Sequence, residues 1–162
     1  MSAVIEIRDL PALLGRNQRL MGLDLGTKTI GIAVSDVERR IASPLHTIRR
    51  TKFTRDVEEL RGAMVKNAVV ALVIGLPLNM DGSEGPRSQS TRAFVRQAHP
   101  ILGLPFAFWD ERLSTAAVTR ALIDQDASRA RRAEVVDRMA AAYILQGVLD
   151  RLASLGRTTT PS

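Results

Sequence analysis

In residues 19–36, RLMGLDLGTKTIGIAVSD, bulky apolar side chains alternate with small or acidic ones. This alternation predicts two short strands joined by a tight turn. One face of this hairpin carries bulky apolar side chains, namely Met21, Leu23, Leu25, Ile30, Ile32 and Val34. The other face carries small residues and one acid, namely Gly22, Asp24, Gly26, Gly31, Ala33 and Ser35. Acids are disfavoured within strands, and glycines let another group approach the backbone closely. We therefore expect a cation, a phosphate or a second segment of the chain to dock near Asp24.

Further strand and helix patterns follow the hairpin. We predict strands over residues 41–48, 68–76 and 104–112, and helices over residues 55–67, 86–98, 115–124 and 133–155. Residues 68–76, AVVALVIGL, are continuously apolar, which is typical of a strand buried on both faces. The order β-β-β-α-β-α-β-α-α predicts an α/β fold. Its mixed five-stranded sheet has its first three strands antiparallel and carries helices on both faces.

The chain is predicted to form a single domain, because it has 162 residues and shows no internal repeat. We place that domain at residues 19–156. Residues 1–18 are predicted to be an arm packed against it, with one helical turn over residues 9–15. Residues 157–162 are predicted to be a disordered tail.

The composition narrows the partners and the chemistry. The formal net charge of +6 favours nucleic acid or another polyanion as partner. Aromatic residues make up only 4% of the chain, so we expect contacts to a nucleic-acid backbone rather than a broad base-stacking surface. With no Cys and only two His, the chain has no disulfides, thiolate metal sites or thiol nucleophiles, and imidazole-rich metal sites are not expected. No membrane-spanning run or signal-peptide pattern is present, so we expect a cytoplasmic protein.

Two polar regions lie beside the predicted strands. The basic cluster of Arg49, Arg50, Lys52 and Arg55 is compatible both with a solvated loop and with a phosphate-binding loop. Residues 75–86, GLPLNMDGSEGP, follow the buried strand as a long loop rich in Gly, Pro, Asn and Asp. Because ligands of open α/β sheets bind beyond the carboxyl ends of strands, we interpret this second loop as functional.

Two further acids can join Asp24. In residues 104–112, LPFAFWDER, alternation places Glu111 on the small-residue face and Asp110 on the face of the phenylalanines, so Glu111 is preferred and Asp110 is the second choice. In the last helix, Asp137 is in line with an apolar stripe formed by Ala140, Ala141, Ile144, Leu145, Val148 and Leu152. The alanines predict that this helix docks closely on the small-residue face of the hairpin, which brings Asp137 towards Asp24.

Three carboxylates gathered at one site repel one another unless a cation neutralises them. Oxygen ligands without His or Cys suit Mg²⁺ or Mn²⁺. Two such ions, about 4 Å apart, activate a water and stabilise the leaving oxygen of a phosphodiester. The residues therefore favour one metal-binding catalytic site formed by Asp24, Glu111 and Asp137 over three separate structural acids.

The chain as a whole resembles the YqgF (RuvX) family of RNase H-like proteins. The matching stretches are GLDLGTKTIGIAVSD at 22–36, VIGLPLNMDGSEG at 73–85, DERLST at 110–115 and VVDRMAAAYIL at 135–145. The resemblance implies a ribonuclease H-like fold and a cytoplasmic, metal-dependent nuclease that matures the 5′ end of 16S ribosomal RNA. It also implies distant kinship with RuvC-type Holliday-junction resolvases, and metal-binding positions at Asp24, Glu111 and Asp137.

Polar residues within the matching stretches are expected to bind the substrate, namely Thr27, Lys28, Asn79, Arg112, Ser114 and Thr115. The extension at residues 1–18 lies outside the family pattern and takes no role from it. The pattern is compatible with a monomer and with a homodimer.

Three other functions stay open at the level of sequence. A junction-resolving nuclease would apply the same chemistry to branched DNA as a symmetric dimer. A small-molecule phosphotransferase is a further alternative, because residues 24–27, Asp-Leu-Gly-Thr, resemble the phosphate loop of actin-like and sugar-kinase ATPases. Against it, this chain is too short for the second domain that those proteins carry. A non-catalytic RNA- or ribosome-binding factor would keep the acids without turnover.

Overall fold

The sheet of this computed structural model has the predicted mixed architecture. The structure describes residues 3–113 and 129–159, with side chains described for 3–113 and 138–156. The strands within them are β1 (Arg19–Leu25), β2 (Thr29–Ser35), β3 (Ala42–Arg49), β4 (Val69–Leu76) and β5 (Phe106–Asp110). Their order across the sheet is β3-β2-β1-β4-β5. The β1–β2 and β2–β3 pairs are antiparallel and the β1–β4 and β4–β5 pairs are parallel, which confirms the predicted sheet.

Helices cover both faces of the sheet. They are α1 (Phe53–Lys66), α2 (Pro86–Leu102) and α3 (Arg129–Thr159). The core on the α1 and α2 side contains large side chains, among them Met21, Leu23, Ile30, Ile32, Leu60, Leu72, Ile74, Phe94 and Phe106. The core on the α3 side includes small strand residues, among them Ala33, Ala71 and Ala107. The alternation along each strand therefore separates two cores of different character.

The predicted close docking of the last helix on the hairpin is confirmed at Gly22. A Cβ atom added to Gly22 would lie 2.7 Å from Cβ of Leu145 and 2.8 Å from the carbonyl oxygen of Ala141. Only glycine permits such a close approach of α3 to β1. Ala140 and Ala141 are at most 1% exposed, so the alanine stripe of α3 packs against the sheet as expected.

The predicted end of the second helix at residue 98 is wrong, because α2 continues to Leu102. Pro100 lies in the last turn, where its missing N–H costs a single backbone hydrogen bond. Ala98 and Leu102 are buried on either side of Pro100 and favour the longer helix. Gly103 then ends α2 in the left-handed conformation, with a φ of 75°, and its N–H donates to the carbonyl oxygen of His99 over 2.9 Å.

The last strand is shorter than the predicted range of 104–112. It ends at Asp110, and the chain continues as a 3-10 turn over Glu111–Leu113. The Oδ1 atom of Asp110 accepts the backbone N–H of Arg112 over 3.0 Å. Asp side chains that bind the backbone two residues ahead favour turns, which explains why the strand stops here.

Helix α3 is longer than the predicted helix over residues 133–155. It begins at Arg129 and continues through Gly156 to Thr159, so residues 157–159 of the predicted disordered tail are helical. Among the described glycines only Gly82 and Gly103 have positive φ, so Gly156 keeps a helical backbone and does not cap α3. The predicted helix over 115–124 lies outside the described residues.

The segment that precedes β1 packs against the sheet and α3. It forms a 3-10 turn over Ile7–Leu13, close to the predicted turn, and Leu10 is fully buried in the core beneath α3. Val4 pairs with Phe106 in an isolated parallel bridge, so this segment extends the sheet by a short bridge beside β5. No helix in the described part of the chain is both long and apolar enough to cross a membrane.

Candidate active site

The carboxyl ends of several strands meet at one edge of the sheet. β1, β4 and β5 are parallel, so their carboxyl ends lie side by side at this edge. The residues near those ends are Asp24 in β1, Gly75 in β4 and Asp110 in β5. β3 runs in the same direction, because it pairs antiparallel with β2, which pairs antiparallel with β1. The carboxyl end of β3, at Arg49, therefore also lies at this edge. Acidic and basic segments that are distant in sequence are neighbours here.

Asp24 places a carboxylate inside the protein near this edge. The residue is 1% exposed, and its Oδ1 atom is inaccessible to solvent. It pairs with Gly31 on β2, and its side chain shares the face of Gly22, against which α3 packs. Burial of a carboxylate is costly unless charged or polar groups compensate it. Asp24 is thus a buried carboxylate on the α3 face, at the carboxyl end of β1.

Glu111 brings a second carboxylate to the same face. Its Oε1 atom lies 2.6 Å from the position that a Cβ atom of Gly75 would take, and its Cγ atom lies 2.9 Å from that position. The Glu111 side chain therefore crosses directly over Gly75. The β1–β4 register pairs Leu23 with Ile74, so Gly75 is level with Asp24 on the neighbouring strand. Adjacent strands are about 4.8 Å apart, which makes the two acids neighbours.

Asp110, the second choice from the sequence, forms an ion pair with Arg112. Nε of Arg112 donates to its Oδ1 over 3.0 Å, and Nη2 of Arg112 donates to its Oδ2 over 2.7 Å. The hydrogen bonds from the Arg112 side chain hold the pKa of Asp110 below its usual value. The two acids of the predicted strand thus separate, with Glu111 over Gly75 and Asp110 in an ion pair.

Arg112, predicted to bind substrate, ties the end of β5 to the loop after β4. Its Nη1 atom donates to the carbonyl oxygen of Met80 over 3.2 Å, and its guanidinium also lies against Gly82. The hydrogen bond with Asp110 raises the pKa of Arg112 above its usual value. The contacts described for Arg112 are therefore within the chain, and they fix the loop beside Glu111.

Asn79, also predicted to bind substrate, organises the same loop. Its N–H donates to the carbonyl oxygen of Ser83 over 2.9 Å, and its Nδ2 donates to Oγ of Ser83 over 3.0 Å. The Ser83 hydroxyl in turn donates to Asp81 over 2.6 Å and lowers the pKa of Asp81. The loop is held together by these bonds, so its long polar sequence forms an ordered structure.

Thr27 and Lys28 form the turn between β1 and β2. The N–H of Gly26 donates to the carbonyl oxygen of Thr29 over 2.8 Å and closes this turn. Both residues follow Asp24 by a few positions and lie at the same sheet edge. Ser114 and Thr115, predicted to bind substrate, lie outside the described residues.

Asp137 belongs to α3, but its side chain is outside the described set. By helical register it precedes Ala140 by three residues and Ala141 by four, and both alanines are buried against the sheet. Among the described side chains, no group of three or more His, Asp or Glu forms a metal-binding cluster. The structure thus brings together Asp24 and Glu111, and the third acid stays a prediction.

Sequence reasoning missed two features of this edge. Gly75 matters because its missing side chain leaves room for Glu111, and a glycine that interrupts an otherwise apolar strand was the available signal. Arg87, in the first turn of α2, faces the turn after β1 across a groove. No sequence signal indicates that groove, since it depends on how α2 packs on the sheet.

Comparison with known proteins places these residues in context. A family model described as RuvX: Holliday junction resolvase matches residues 18–151. A protein of Methylocella silvestris named "Putative pre-16S rRNA nuclease" is 67% identical over 149 residues, and the match covers 92% of each chain. A protein of the same name from Beijerinckia indica is 64% identical over 155 residues, which cover 96% of this chain and 94% of the relative.

A solved structure shares the fold at low identity. RuvC of T. thermophilus in complex with a Holliday junction substrate is similar with a TM-score of 0.52 and 15% identity. The match covers 85% of this chain and 97% of that one. The similarity confirms the expected RNase H-like fold and, at this identity, shows the fold alone.

Proposed function

Because the chain belongs to the RuvX family, we propose that it is a divalent-metal-dependent nuclease that hydrolyses phosphodiester bonds of precursor 16S rRNA. The observation that carries this proposal is the position of Glu111 directly over Gly75, level with the buried Asp24. Two acids from distant parts of the chain share one face of one sheet edge. Maturation of ribosomal RNA would place the reaction in the cytoplasm.

The donor set at this edge fits a hard divalent cation, because the two acids offer carboxylate oxygens. Asp24 and Glu111 would hold Mg²⁺ or Mn²⁺, and Asp137 would supply the third carboxylate from α3. The chemistry that such an ion supplies when bound is activation of the attacking water and stabilisation of the leaving oxygen. The helical register of Asp137, one turn before the buried alanines, supports its assignment to this group.

The protein's own groups position the substrate. Asp24 lies within a paired strand beneath a helix, so its carboxylate needs little reorganisation on binding. We assign Thr27, Lys28, Ser114 and Thr115 to contacts with the nucleic-acid backbone. Asn79 and Arg112 would act on the substrate through the loop after β4, whose shape they hold. The net charge of +6 favours approach of a polyanion to this edge despite its acids.

Branched DNA is the second candidate substrate. It is favoured by the description of the matching family model and by the fold shared with RuvC. Resolution of a two-fold symmetric junction requires two active sites related by the same symmetry, hence a dimer. The RNA substrate is preferred because the curated relatives of 64–67% identity are named for it.

The test compares Asp24→Asn with the wild-type chain on two substrates. One is a transcript that spans the 5′ end of precursor 16S rRNA, and the other is a four-way DNA junction, each with Mg²⁺ or Mn²⁺. We expect wild-type cleavage of the RNA, and a loss of at least about 100-fold in Asp24→Asn, which corresponds to about 2.7 kcal/mol of barrier. Glu58→Gln, on the exposed side of α1, is the matched control and should cleave normally.

Each outcome decides between the candidates. Undiminished cleavage by Asp24→Asn would refute the metal-dependent site. Cleavage of the junction alone, by a chain that is dimeric in solution, would replace RNA by branched DNA as the substrate. Tight RNA binding without cleavage under either metal would identify a binding factor.

A further inference from the structure

A concave surface lies at the same end of the sheet as Asp24, on the opposite face. It is a groove of about 440 Å³ between the turn after β1, the segment after β3 and the first turns of α2. Its polar walls include Thr27, Arg50, Arg87, Ser90 and Thr91. Leu25 also lines the groove and directly follows Asp24 in β1, with its side chain on the opposite face. The groove and the acids therefore flank the same sheet edge.

Arg50 is held in place at one wall of this groove. Its Nη1 atom donates to the carbonyl oxygen of Gly26 over 2.6 Å, and its backbone N–H donates to the carbonyl oxygen of Lys28 over 2.8 Å. These bonds join the end of β3 to the turn after β1 and fix the guanidinium over that turn. A guanidinium carries five N–H donors, so it can bind an anion while it keeps its bond to Gly26.

The acid in the groove does not cancel its positive charge. Asp56 is 4% exposed, and its Oδ1 atom accepts the backbone N–H and the hydroxyl of Thr51 over 3.1 and 3.3 Å. The Oδ1 atom of Asp56 therefore has its hydrogen-bond donors within the groove wall, at Thr51. Arg87 stands exposed on the opposite wall, and it has no ion-pair partner among the described residues. The groove thus carries two arginines and one acid, so its net charge is positive.

The aromatic residue of the groove is engaged elsewhere. Phe53 packs edge-on against Phe94, with ring centroids 5.8 Å apart and planes at 80°. Its ring therefore packs into the core rather than forming a platform for a base. Guanidinium and hydroxyl groups without an aromatic platform suit a phosphate, since Arg binds phosphate oxygens through parallel N–H donors.

From this arrangement we infer that the groove binds a backbone phosphate of the substrate strand, next to the phosphate positioned at Asp24. Arg50 and Arg87 bind its oxygens, and Ser90 and Thr27 supply hydroxyl donors. The inference rests on the proposed nuclease function and extends it, because it states where the strand leaves the catalytic acids. The strand crosses the sheet edge towards α2, and binding in the groove does not depend on base sequence.

Binding by a cleavage-deficient chain tests the groove. The background is Asp24→Asn, and the probe is a labelled single-stranded oligoribonucleotide titrated at several salt concentrations. Arg87→Gln and Arg50→Gln are each expected to weaken binding by about tenfold and to reduce the slope of log K against log salt by about 0.7. The matched control is Arg96→Gln, an exposed arginine farther along α2, which should leave affinity and slope unchanged.

A second measurement locates the contact. Single linkages of the oligoribonucleotide are replaced in turn by neutral methylphosphonates, and the effect of Arg87→Gln should vanish at one linkage. Arg87→Gln removes an exposed side chain, so the test survives even if Arg50→Gln, which breaks the bond to Gly26, proves unstable. Equal slopes for Arg87→Gln and Arg96→Gln would overturn the inference.

The two proposals fail in different ways. A wild-type chain that binds RNA without cleaving it would refute the nuclease function. The salt slopes of the variants would still show whether the groove binds a phosphate. A chain that cleaves RNA while Arg87→Gln and Arg50→Gln both bind like the control would refute the groove and leave the nuclease function intact.

Discussion

The two faces of the sheet differ in the size and polarity of the side chains that the strands contribute. Beneath α1 and α2, the strands contribute Met21, Leu23, Ile32, Leu72, Ile74 and Phe106, which are fully buried. Beneath α3, the same strands contribute Gly22, Ala33, Ala71, Gly75 and Ala107, together with the buried acid Asp24. The first face gains stability from apolar area removed from water. The second gives up part of that gain and lets a helix and a carboxylate approach the backbone.

The difference shows how one sheet can carry both a core and a site. A large side chain at position 75 would occupy the space where Glu111 lies, and one at position 22 would push α3 away from β1. Because side chains alternate along a strand, these small positions cost the opposite face nothing. A chain can therefore place charged groups one residue away from its most tightly packed core.

The largest effect is expected from Gly22→Ala. The added Cβ would meet Cβ of Leu145 at 2.7 Å and the backbone oxygen of Ala141 at 2.8 Å, and neither is the flexible end of a side chain. Relief requires α3 to move away from β1, so we expect a loss of about 1–3 kcal/mol in the free energy of unfolding. Urea denaturation followed by circular dichroism measures it.

The control for that change is Gly62→Ala in α1. A Cβ atom there meets nothing within 4 Å, so the substitution should stabilise the chain by about 0.5–1 kcal/mol through the helix preference of Ala. Equal stability of the Gly22→Ala and wild-type chains would show that the α3 face is not closely packed and would remove the contrast between the two faces.

Much of this contrast could be predicted because it depends on local alternation. The period of two along β1 and β2 placed Met21 and Leu23 in one core and Ala33 in the other. The preference for Glu111 over Asp110 agrees with the structure for a different reason than alternation, because β5 ends at Asp110 and Glu111 lies in the following 3-10 turn. The alanine stripe of α3 predicted a close approach, which the contact at Gly22 confirms. The mixed sheet with its first three strands antiparallel followed from the element order, since a meander followed by crossovers leaves few arrangements.

The features that were missed depend on tertiary packing or on weak local signals. Pro100 fails to end α2 because Ala98 and Leu102 are buried beside it, and burial outweighs one lost hydrogen bond. Gly156 carries the sequence signal of a helix end but stays helical. The pairing of Val4 with Phe106 joins residues about a hundred positions apart, which no local pattern indicates.

A smaller effect is expected from Gly75→Ala, and it should appear in activity more than in stability. The added Cβ would lie 2.6 Å from Oε1 and 2.9 Å from Cγ of Glu111, and 2.6 Å from Cδ1 of the buried Ile144. These contacts are to side chains and not to backbone, and the Glu111 side chain can rotate away. Displacement of Glu111 should lower RNA cleavage by about tenfold, which is about 1.4 kcal/mol of barrier. The free energy of unfolding should change by less than in Gly22→Ala.

The measurement is the cleavage rate at saturating metal, with Gly62→Ala again as control. Because the rate effect requires Glu111, adding Gly75→Ala to Glu111→Gln should change the rate no further. A full tenfold loss in that double variant would mean that position 75 acts on the site by another route and that Glu111 is not the displaced group.

The smallest effect concerns the ion pair at the end of β5. The Arg112 hydrogen bonds lower the pKa of Asp110 from its ordinary 3.8, so the pair stabilises the folded chain above that pH and loses its contribution as pH falls through the lowered value. Because Arg112 is 36% exposed on its side chain, solvent screens the pair and its contribution to stability should be small. Asp110→Asn should therefore be less stable than wild type at about pH 6, and the difference should shrink as the pH falls below 3.8. Urea denaturation across this range checks the sign. A difference that grows as the pH falls would show that Asp110 is not held ionised by Arg112.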